Sequence, residues 1–431
     1  MSALEQARDR FLERFEARWG EASTRQEAPS LARLRRESRD AFAAQGLPHT
    51  KLEEWRYTNL EALASIPFEE PSDRGPAVDR ELVERLSFPV FACSLYVFVD
   101  GIFAPELSSP RSLSEGIRAE SLRELRQRDP EQLSRLGELV EAKQHPFAAL
   151  NGAFLDDGAV LRIPPHRKLE QLVHLVFLTR DAEQPVVTHP RVLIHAGEGS
   201  QARVVQDHVA LSGRAEHFTN AVTEVQVDAN ASLELTLLQR EMRPSFLVTH
   251  LAARQARDSR FAAHTVTLGG HLVRNDAGVL LAGEGAECNL RGLFVGSGRD
   301  VLDNHTRIDH AVPHGTSHEL YKGILGGRSR GVFRGRVVVR PDAQKSLADQ
   351  SNPNLLLTDG AEIDTKPQLE IHADDVKCNH GSAIGRLEPD ALFYLRARGL
   401  PEARARRLLT EGFAWEILAA LPHPALAEAL G

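Results

Sequence analysis

Residues from about 160 to 380 consist of short β-rich runs separated by small and polar residues, and this texture limits the possible folds most. Turn-like openings such as Glu198-Gly199-Ser200 and Glu284-Gly285 recur about every 28 residues, and each leads into a run in which alternate residues are apolar. Further openings near Ser329 and Asp342 roughly halve that interval. Because no helices intervene, the pattern excludes a βαβ sheet and leaves a sandwich, a propeller or a β-solenoid.

The irregular spacing of these turns favours the solenoid among the three folds. The sequence lacks the repeated Trp-Asp and Gly-His marks of propeller blades. In a solenoid each coil buries its inward side chains against its neighbours, and the two ends of the stack need a cover. We therefore expect a mainly β fold, with a β-solenoid core whose ends the flanking helical regions could cover.

Helical patterns flank the β-rich region on both sides. In the N-terminal region, Leu4, Ala7, Phe11, Phe15 and Trp19 recur at helical spacing. A second helix follows Ser30 and ends at Gly46, residues 121–142 return to helical spacing, and Asp100-Gly101 predicts a β-hairpin between them. After residue 388, Pro389 and Pro401 each begin a short helix. The expected domains are a mostly helical domain with a β-hairpin (1–155), the solenoid core (156–385) and a C-terminal helical domain (386–431).

Charge and cysteine content restrict the classes of partner and compartment. The 52 basic and 60 acidic side chains give a formal charge of −8, which argues against a strongly basic nucleic-acid binder. No apolar run approaches the ~20 residues that span a bilayer, and the N-terminal helix carries too many acids for a signal or transit peptide. The three cysteines form no C-x-x-C pair, which fits a reducing compartment. We expect a cytoplasmic protein that binds neither nucleic acid nor membrane.

The sequence supports neither a nucleotide-binding motif nor a hydrolase nucleophile motif. Neither G-x-x-x-x-G-K-[ST] nor G-x-G-x-x-G occurs, so the chain offers no recognisable phosphate cradle for ATP or a dinucleotide. The segment 327–331 matches the G-x-S-x-G pattern of a hydrolase, but that motif needs a helix after the serine, whereas residues 332–339 read as a strand. We interpret Ser329 as part of a solenoid corner, where glycines let the backbone turn.

Two groups of side chains could bind a metal. Histidines cluster between 305 and 318, but their spacings of five, four and four fit no strand period, so we interpret most of them as exposed or hydrogen-bonding loop residues. In an extended strand, Cys378 and His380 would project to the same face, a soft thiolate beside an imidazole. Two ligands do not close a metal site, so the pair is either half of a site that another chain completes, or a buried thiol near a hydrogen-bonded histidine. Cys93 and Cys288 read as small packing residues.

Several long motifs after residue 315 are characteristic of one family. They are Lys322-Gly323-Ile324-Leu325, Val332-Phe333-Arg334-Gly335, Ala343-Gln344-Lys345, 349–357, 366–371, 374–381 and 392–399. With these motifs the chain resembles the SufB/SufD family of iron-sulfur cluster assembly proteins, over almost its whole length. Within that family the D subunit is the better match, since Lys51–Thr58 looks like its N-terminal signature and Gly381 follows its Cys-x-His-Gly pattern. Asn379 departs from the serine that is common at its position.

The resemblance implies a right-handed parallel β-helix with helical domains on both sides. It also implies that the protein is a non-enzymatic scaffold that pairs with SufB along the end of the β-helix and binds the ABC-type ATPase SufC through its C-terminal helices. A nascent iron-sulfur cluster would then form at the interface with SufB. His380 matches the histidine that the D subunit is proposed to contribute to that cluster, and Cys378 matches the cysteine beside it. Whether a reduced flavin binds the complex, and whether the chain forms homodimers without its partners, stay open.

Two other classes of function remain as alternatives. A β-helix carbohydrate lyase or hydrolase needs convergent charged side chains in a groove and usually aromatic platforms, but aromatic residues make up only 6% of the chain. A passive structural homodimer would have no part in cluster assembly. Co-purification with SufB and SufC homologues separates the scaffold from both alternatives.

Overall fold

A computed structural model describes residues 1–19, 27–71, 78–88, 93–110, 117–211, 215–240 and 244–430. It consists of a parallel β-solenoid with helices near both ends of the chain, as the sequence predicted. The strands are β1 (Cys93–Val99), β2 (Ile102–Phe103), β3 (Arg118–Ser121), β4 (Gly158–Ile163), β5 (Leu172–Thr179), β6 (Val186–Thr188), β7 (Arg191–Ala196), β8 (Gln201–Ala210), β9 (His217–Val227), β10 (Ser232–Arg240), β11 (Ser245–Gln255), β12 (Arg260–Leu268), β13 (Leu272–Leu281), β14 (Glu287–Gly296), β15 (Val301–His310), β16 (Thr316–Leu325), β17 (Arg330–Val339), β18 (Leu347–Leu356), β19 (Glu362–Thr365), β20 (Gln368–Ile371) and β21 (Lys377–Gly385).

The described helices lie before, between and after these strands. They are α1 (Ala3–Trp19), α2 (Pro29–Gln45), α3 (Glu61–Ser65), α4 (Arg80–Leu86), α5 (Leu122–Arg128), α6 (Pro146–Phe154), α7 (Pro389–Ala397), α8 (Glu402–Leu418) and α9 (Pro424–Leu430), with short 3₁₀ turns at Glu53–Trp55 and Pro130–Leu133. Among the described residues, no helix is long and apolar enough to cross a membrane.

Successive strands of the solenoid alternate between two sheets. One sheet has the order β2-β1-β5-β8-β10-β12-β14-β16-β18-β21, and the other has the order β19-β17-β15-β13-β11-β9-β7-β4-β3, with β20 also on β17 and β6 on β9. From β7 onward every pair is parallel, and neighbouring strands in one sheet are offset by one coil, as in Ser232 beside Arg260 and Arg260 beside Glu287. The main core cluster lies between the sheets, where alternate side chains from each strand meet.

Turns with special backbone geometry join the coils. Gly199, Gly285 and Gly327 have positive φ angles of 63°, 72° and 64°, a region that other residues rarely adopt. At Gly327 a Cβ atom would lie 2.7 Å from the backbone nitrogen of Gly298 in the preceding coil. The expectation that glycines form the corner near Ser329 is therefore confirmed: Ser329 is buried, and its hydroxyl donates a hydrogen bond to the Gly326 carbonyl, 2.8 Å away.

Helices cover the outer faces of the sheets. In the N-terminal region, Phe11, Phe42 and Phe154 from α1, α2 and α6 belong to one apolar cluster that reaches Phe218 and Phe246 on the solenoid. At the other end of the chain, Ala414, Ile417 and Leu418 of α8 pack with Leu238, Val266, Leu293 and Ile324 on the outside of the even-numbered strands. The apolar stripe of α8 thus binds the side of the solenoid.

Three details differ from the sequence predictions. Residues 121–142 form a helix only as far as Arg128, because Asp129 and Pro130 end it and a 3₁₀ turn follows. The predicted hairpin is present, with Val99 paired to Ile102, but β1 also continues the solenoid sheet through a parallel pairing with β5. The C-terminal helices do not cover the last coil: the side chains of β21 are exposed apart from partly buried Cys378.

Candidate functional site

The last strand, β21, forms the open end of the solenoid. It pairs with β18 along one edge, in the register Ala348 to Cys378 and Gln350 to His380. Its other edge has no strand partner among the described residues. An unpaired edge presents a row of backbone donors and acceptors that can bind a strand from another chain. The candidate residues thus lie at a position where a second protein can approach.

Cys378 and His380 lie on the inward-facing side of β21. Their partners in register, Ala348 and Gln350, are 3% and 1% exposed and point into the core. Cys378 packs against the main core cluster and is half-buried, whereas His380 is exposed because no further coil covers it among the described residues. The same-face arrangement expected from an i, i+2 spacing is therefore present.

The environment of the Cys378 thiol favours its protonated form. Burial raises the pKa of Cys378, and a hydrogen bond with the Ala348 backbone opposes that rise. Since the thiolate is the form that binds metal, binding at this position would release a proton. Within the described part of the chain, no three His, Cys, Asp or Glu side chains are grouped so that they could hold a metal ion. Any metal at Cys378 and His380 would need further ligands.

Two buried polar residues, Gln350 and Glu319, lie in register with His380 on the neighbouring strands of the same sheet. Glu319 lies beside Gln350 in the β16–β18 register, as Gln350 lies beside His380 in the next coil. Gln350 Nε2 donates a hydrogen bond to Glu319 Oε2, 2.6 Å away, and both side chains are at most 2% exposed. Burial raises the pKa of Glu319, hydrogen bonding to Gln350 and Thr306 limits that rise, and the resulting pKa is about 7. Sequence reasoning missed this pair; the signal was an acid at an inward position of a strand.

The interpretation of the 305–318 histidines as mostly loop residues is wrong. His305 and His310 lie in β15 and His318 lies in β16; only His314 occupies the turn between them. A spacing of five places His305 and His310 on opposite faces of one strand, and the turn resets the period before His318. His305 Nε2 lies 2.9 Å from Asp303 Oδ1. His310 is buried, and its Nε2 forms a hydrogen bond with Ser317 Oγ, 2.9 Å away.

The other two cysteines have packing roles, as predicted. Cys288 is fully buried in the main core, where burial strongly raises its pKa. Cys93 is partly buried between two smaller apolar clusters.

The segment 51–58 is fixed to the solenoid near its open end. The Arg274 guanidinium lies over the Trp55 ring, 3.7 Å from its centroid, and forms a salt bridge with Asp303 at 2.8 Å. The Thr58 hydroxyl donates a hydrogen bond to the same Asp303 carboxylate. Desolvation opposes ionisation of Asp303, but His305 and Arg274 lower its pKa, so the buried carboxylate stays charged. This joint connects the N-terminal segment to β13 and β15.

The C-terminal helices carry large exposed apolar side chains. No residue of α7 is buried, and Phe393 and Tyr394 are 72% and 56% exposed. On α8, Leu408 and Trp415 are 43% and 53% exposed. Large exposed apolar side chains are typical of protein interaction surfaces, which makes α7 and α8 candidates for such a surface.

Comparison with known proteins gives consistent matches along the chain. The family model described as SufBD protein N-terminal region matches residues 5–175, and the one described as SUF system FeS cluster assembly, SufBD core domain, matches residues 177–413. An iron-sulfur cluster assembly SufBD family protein of Synechocystis is 34% identical over 92% of this chain and 88% of its own length. The iron-sulfur cluster assembly protein SufD of Escherichia coli is 31% identical over 87% and 86%, and the chloroplastic protein ABCI7 of Arabidopsis thaliana is 30% identical over 91% and 83%.

Proposed function

Because the chain belongs to the SufBD family of iron-sulfur cluster assembly proteins, we propose that it is a non-catalytic, cytoplasmic scaffold subunit that pairs with a SufB homologue and binds a SufC-type ATPase. The nascent cluster, which is the cargo of the complex, would form between this chain and the SufB homologue. The observation that carries this proposal is the edge of β21, which pairs with no strand in the described part of the chain and has Cys378 and His380 beside it. The division into domains 1–155, 156–385 and 386–431 is part of the same proposal.

The open end of the solenoid has the chemistry of a pairing surface. Ile371 and Ile384, on the last strands of the two sheets, are 42% and 54% exposed. A partner strand added to the edge of β21 that pairs with no described strand would satisfy the backbone groups of that edge and cover Ile384, and a partner that continued the solenoid would cover Ile371 as well. It would also enclose Cys378 and His380, so that the partner could supply the ligands that two side chains lack.

The exposed face of α7 and α8 supports a separate docking site for the ATPase. Of these two helices, α8 packs on the side of the solenoid, and α7 follows β21 in the chain and contacts α8. In this proposal the chain itself binds no nucleotide, and the ATPase performs the hydrolysis.

One variant at each docking surface tests this proposal, and each variant is the control for the other. In co-expression with the SufB and SufC homologues, Ile384→Glu should remove SufB from the purified complex and leave SufC bound, because a buried charge opposes pairing. Phe393→Glu should have the reverse effect. Size-exclusion chromatography with light scattering gives the composition. The assignment of two surfaces would be refuted if either variant lost both partners, or if both variants kept both partners. A homodimer of the parent chain in the presence of SufB would favour the structural alternative.

His380→Ala tests the cluster ligand. We expect the three-protein complex to form with parent composition, while cluster formed from iron and sulfide, followed by its visible absorbance, is strongly reduced. Substitution of His318, an exposed histidine of β16, by alanine is the matched control. Parent levels of cluster in His380→Ala would exclude this ligand.

A further inference from the structure

A column of inward-facing residues leads to His380 from the core. In register along four successive strands of one sheet lie Leu290, Glu319, Gln350 and His380. Neighbouring strands lie about 4.8 Å apart. The two residues between Leu290 and His380 are polar, although they are at most 2% exposed.

The hydrogen bond between Glu319 and Gln350 fixes the direction of the Gln350 amide. The Gln350 NH₂ group donates to Glu319, at 2.6 Å. Above pH 7, where the Glu319 carboxylate is ionised, this is the only direction available, because an ionised carboxylate can only accept hydrogen bonds. The other end of the amide, Oε1, is buried and has no hydrogen-bond partner in the part of the chain that the structure describes. A buried acceptor without a donor destabilises the folded state, because it loses its hydrogen bonds to water without replacement. The strand pairing places His380, which carries an N–H group, next in the column.

We propose that Gln350 is a positioning residue for His380. Its Oε1 accepts a hydrogen bond from one ring N–H of His380, which leaves the other ring nitrogen with a free lone pair for iron, while Glu319 holds the amide in that orientation. Metal-binding histidines almost always donate their second ring N–H to such an acceptor, which sets the tautomer and the ring orientation. The consequence for iron rests on the proposed function, but the hydrogen bond itself does not.

The test is the tautomer of His380 in the isolated chain, free of metal and partners. Histidine labelled with ¹⁵N is measured by two-bond ¹H–¹⁵N correlation at a pH where His380 is neutral, and its signals are identified by their loss in His380→Ala. We expect one tautomer in the parent and a mixture of both in Gln350→Met, which keeps the length of the side chain and removes the acceptor. Gln201→Met, at an exposed position of β8, should leave the parent pattern unchanged.

Two further variants separate positioning from packing. Because Gln350→Met leaves the buried Glu319 without its donor, Glu319→Leu combined with Gln350→Met removes both polar groups and should give the same tautomer mixture. The exchange of Glu319→Gln with Gln350→Glu keeps one amide and one carboxylate and again presents an acceptor oxygen, so it should restore the single tautomer. A parent that shows both tautomers, or a single tautomer that survives in Gln350→Met, would overturn the proposal.

Cluster assembly provides the functional readout. In the reconstituted complex, Gln350→Met should lower cluster formation by about 10-fold, and the exchanged pair should recover most of that loss. If His380→Ala forms cluster normally, the proposed ligand role of His380 fails, while the tautomer measurement still decides the hydrogen bond. If His380 is essential but Gln350→Met has parent activity, the positioning role fails alone.

Discussion

Replacing Glu319 by glutamine should stabilise the protein, relative to the parent, increasingly as the pH rises from 4.5 to 8. The side chain of Glu319 is 2% exposed, and burial raises its pKa from 4.5 to about 7. The folded protein therefore holds this proton between about pH 4.5 and 7, while the unfolded chain releases it. The substitution keeps the shape of the side chain and a carbonyl oxygen that can accept from Gln350, but removes the charge.

The pKa difference gives both the sign and the size of the effect. Because the folded state binds more protons in this window, the contribution of Glu319 to the free energy of unfolding is fully present below pH 4.5 and is lost as the pH rises through 7. The difference between a pKa of 4.5 in the unfolded chain and about 7 in the folded protein corresponds to about 3 kcal/mol. The difference in stability between Glu319→Gln and the parent should therefore grow by about 3 kcal/mol between pH 4.5 and 8.

Urea unfolding followed by circular dichroism, at half-unit steps from pH 4.5 to 8.5, measures this difference. Only its change with pH matters, since any constant offset reports the substitution itself. Glu198→Gln, at an exposed turn, is the matched control and should give a difference independent of pH. A pH-independent difference for Glu319→Gln, or one that shrinks toward pH 8, would refute the reasoning.

Two further predictions concern the Arg274 joint and the cysteines. Arg274→Met should lower the free energy of unfolding by about 3–5 kcal/mol, because it leaves the buried Asp303 carboxylate without its arginine. Urea unfolding measures this loss, and the exposed Arg257→Met is the control, with an expected change below about 0.5 kcal/mol. In the native protein a thiol reagent such as DTNB should modify Cys378, which is half-buried, but should reach Cys288 only after denaturation. Native labelling of Cys288 in a Cys93→Ala, Cys378→Ala variant would contradict its burial.

The coarse architecture followed from the sequence because its signals are local. The turn spacing predicted the solenoid, and the Gly46 end of α2, the Asp100-Gly101 turn and the proline starts of α7 and α8 all occur as expected. Each of these depends on the conformational preferences of a few adjacent residues. The same local signals overestimated the helix after residue 121, where Pro130 intervenes.

The features that the sequence did not predict depend on contacts between coils. Glu319 and Gln350 are 31 residues apart, and only the strand register makes them neighbours. The Arg274 joint likewise includes a hydrogen bond from the Arg274 guanidinium to the Glu54 carbonyl, 220 positions earlier in the chain. The uncovered end depends on which face of the solenoid α8 binds. Cys378 and His380 were identified because their spacing lies within one strand; their role as ligands remains a prediction.

The uncovered last coil links the abundance of this protein in the cell to that of a partner. A ligand that binds only the folded state stabilises it in proportion to its free concentration, so a partner that covers the end of β21 would raise the stability of this chain by mass action. Copies made in excess of that partner would keep an exposed strand edge, which favours aggregation and recognition by proteases. Under the proposed pairing, the relative supply of the two subunits would then set the lifetime of the surplus one.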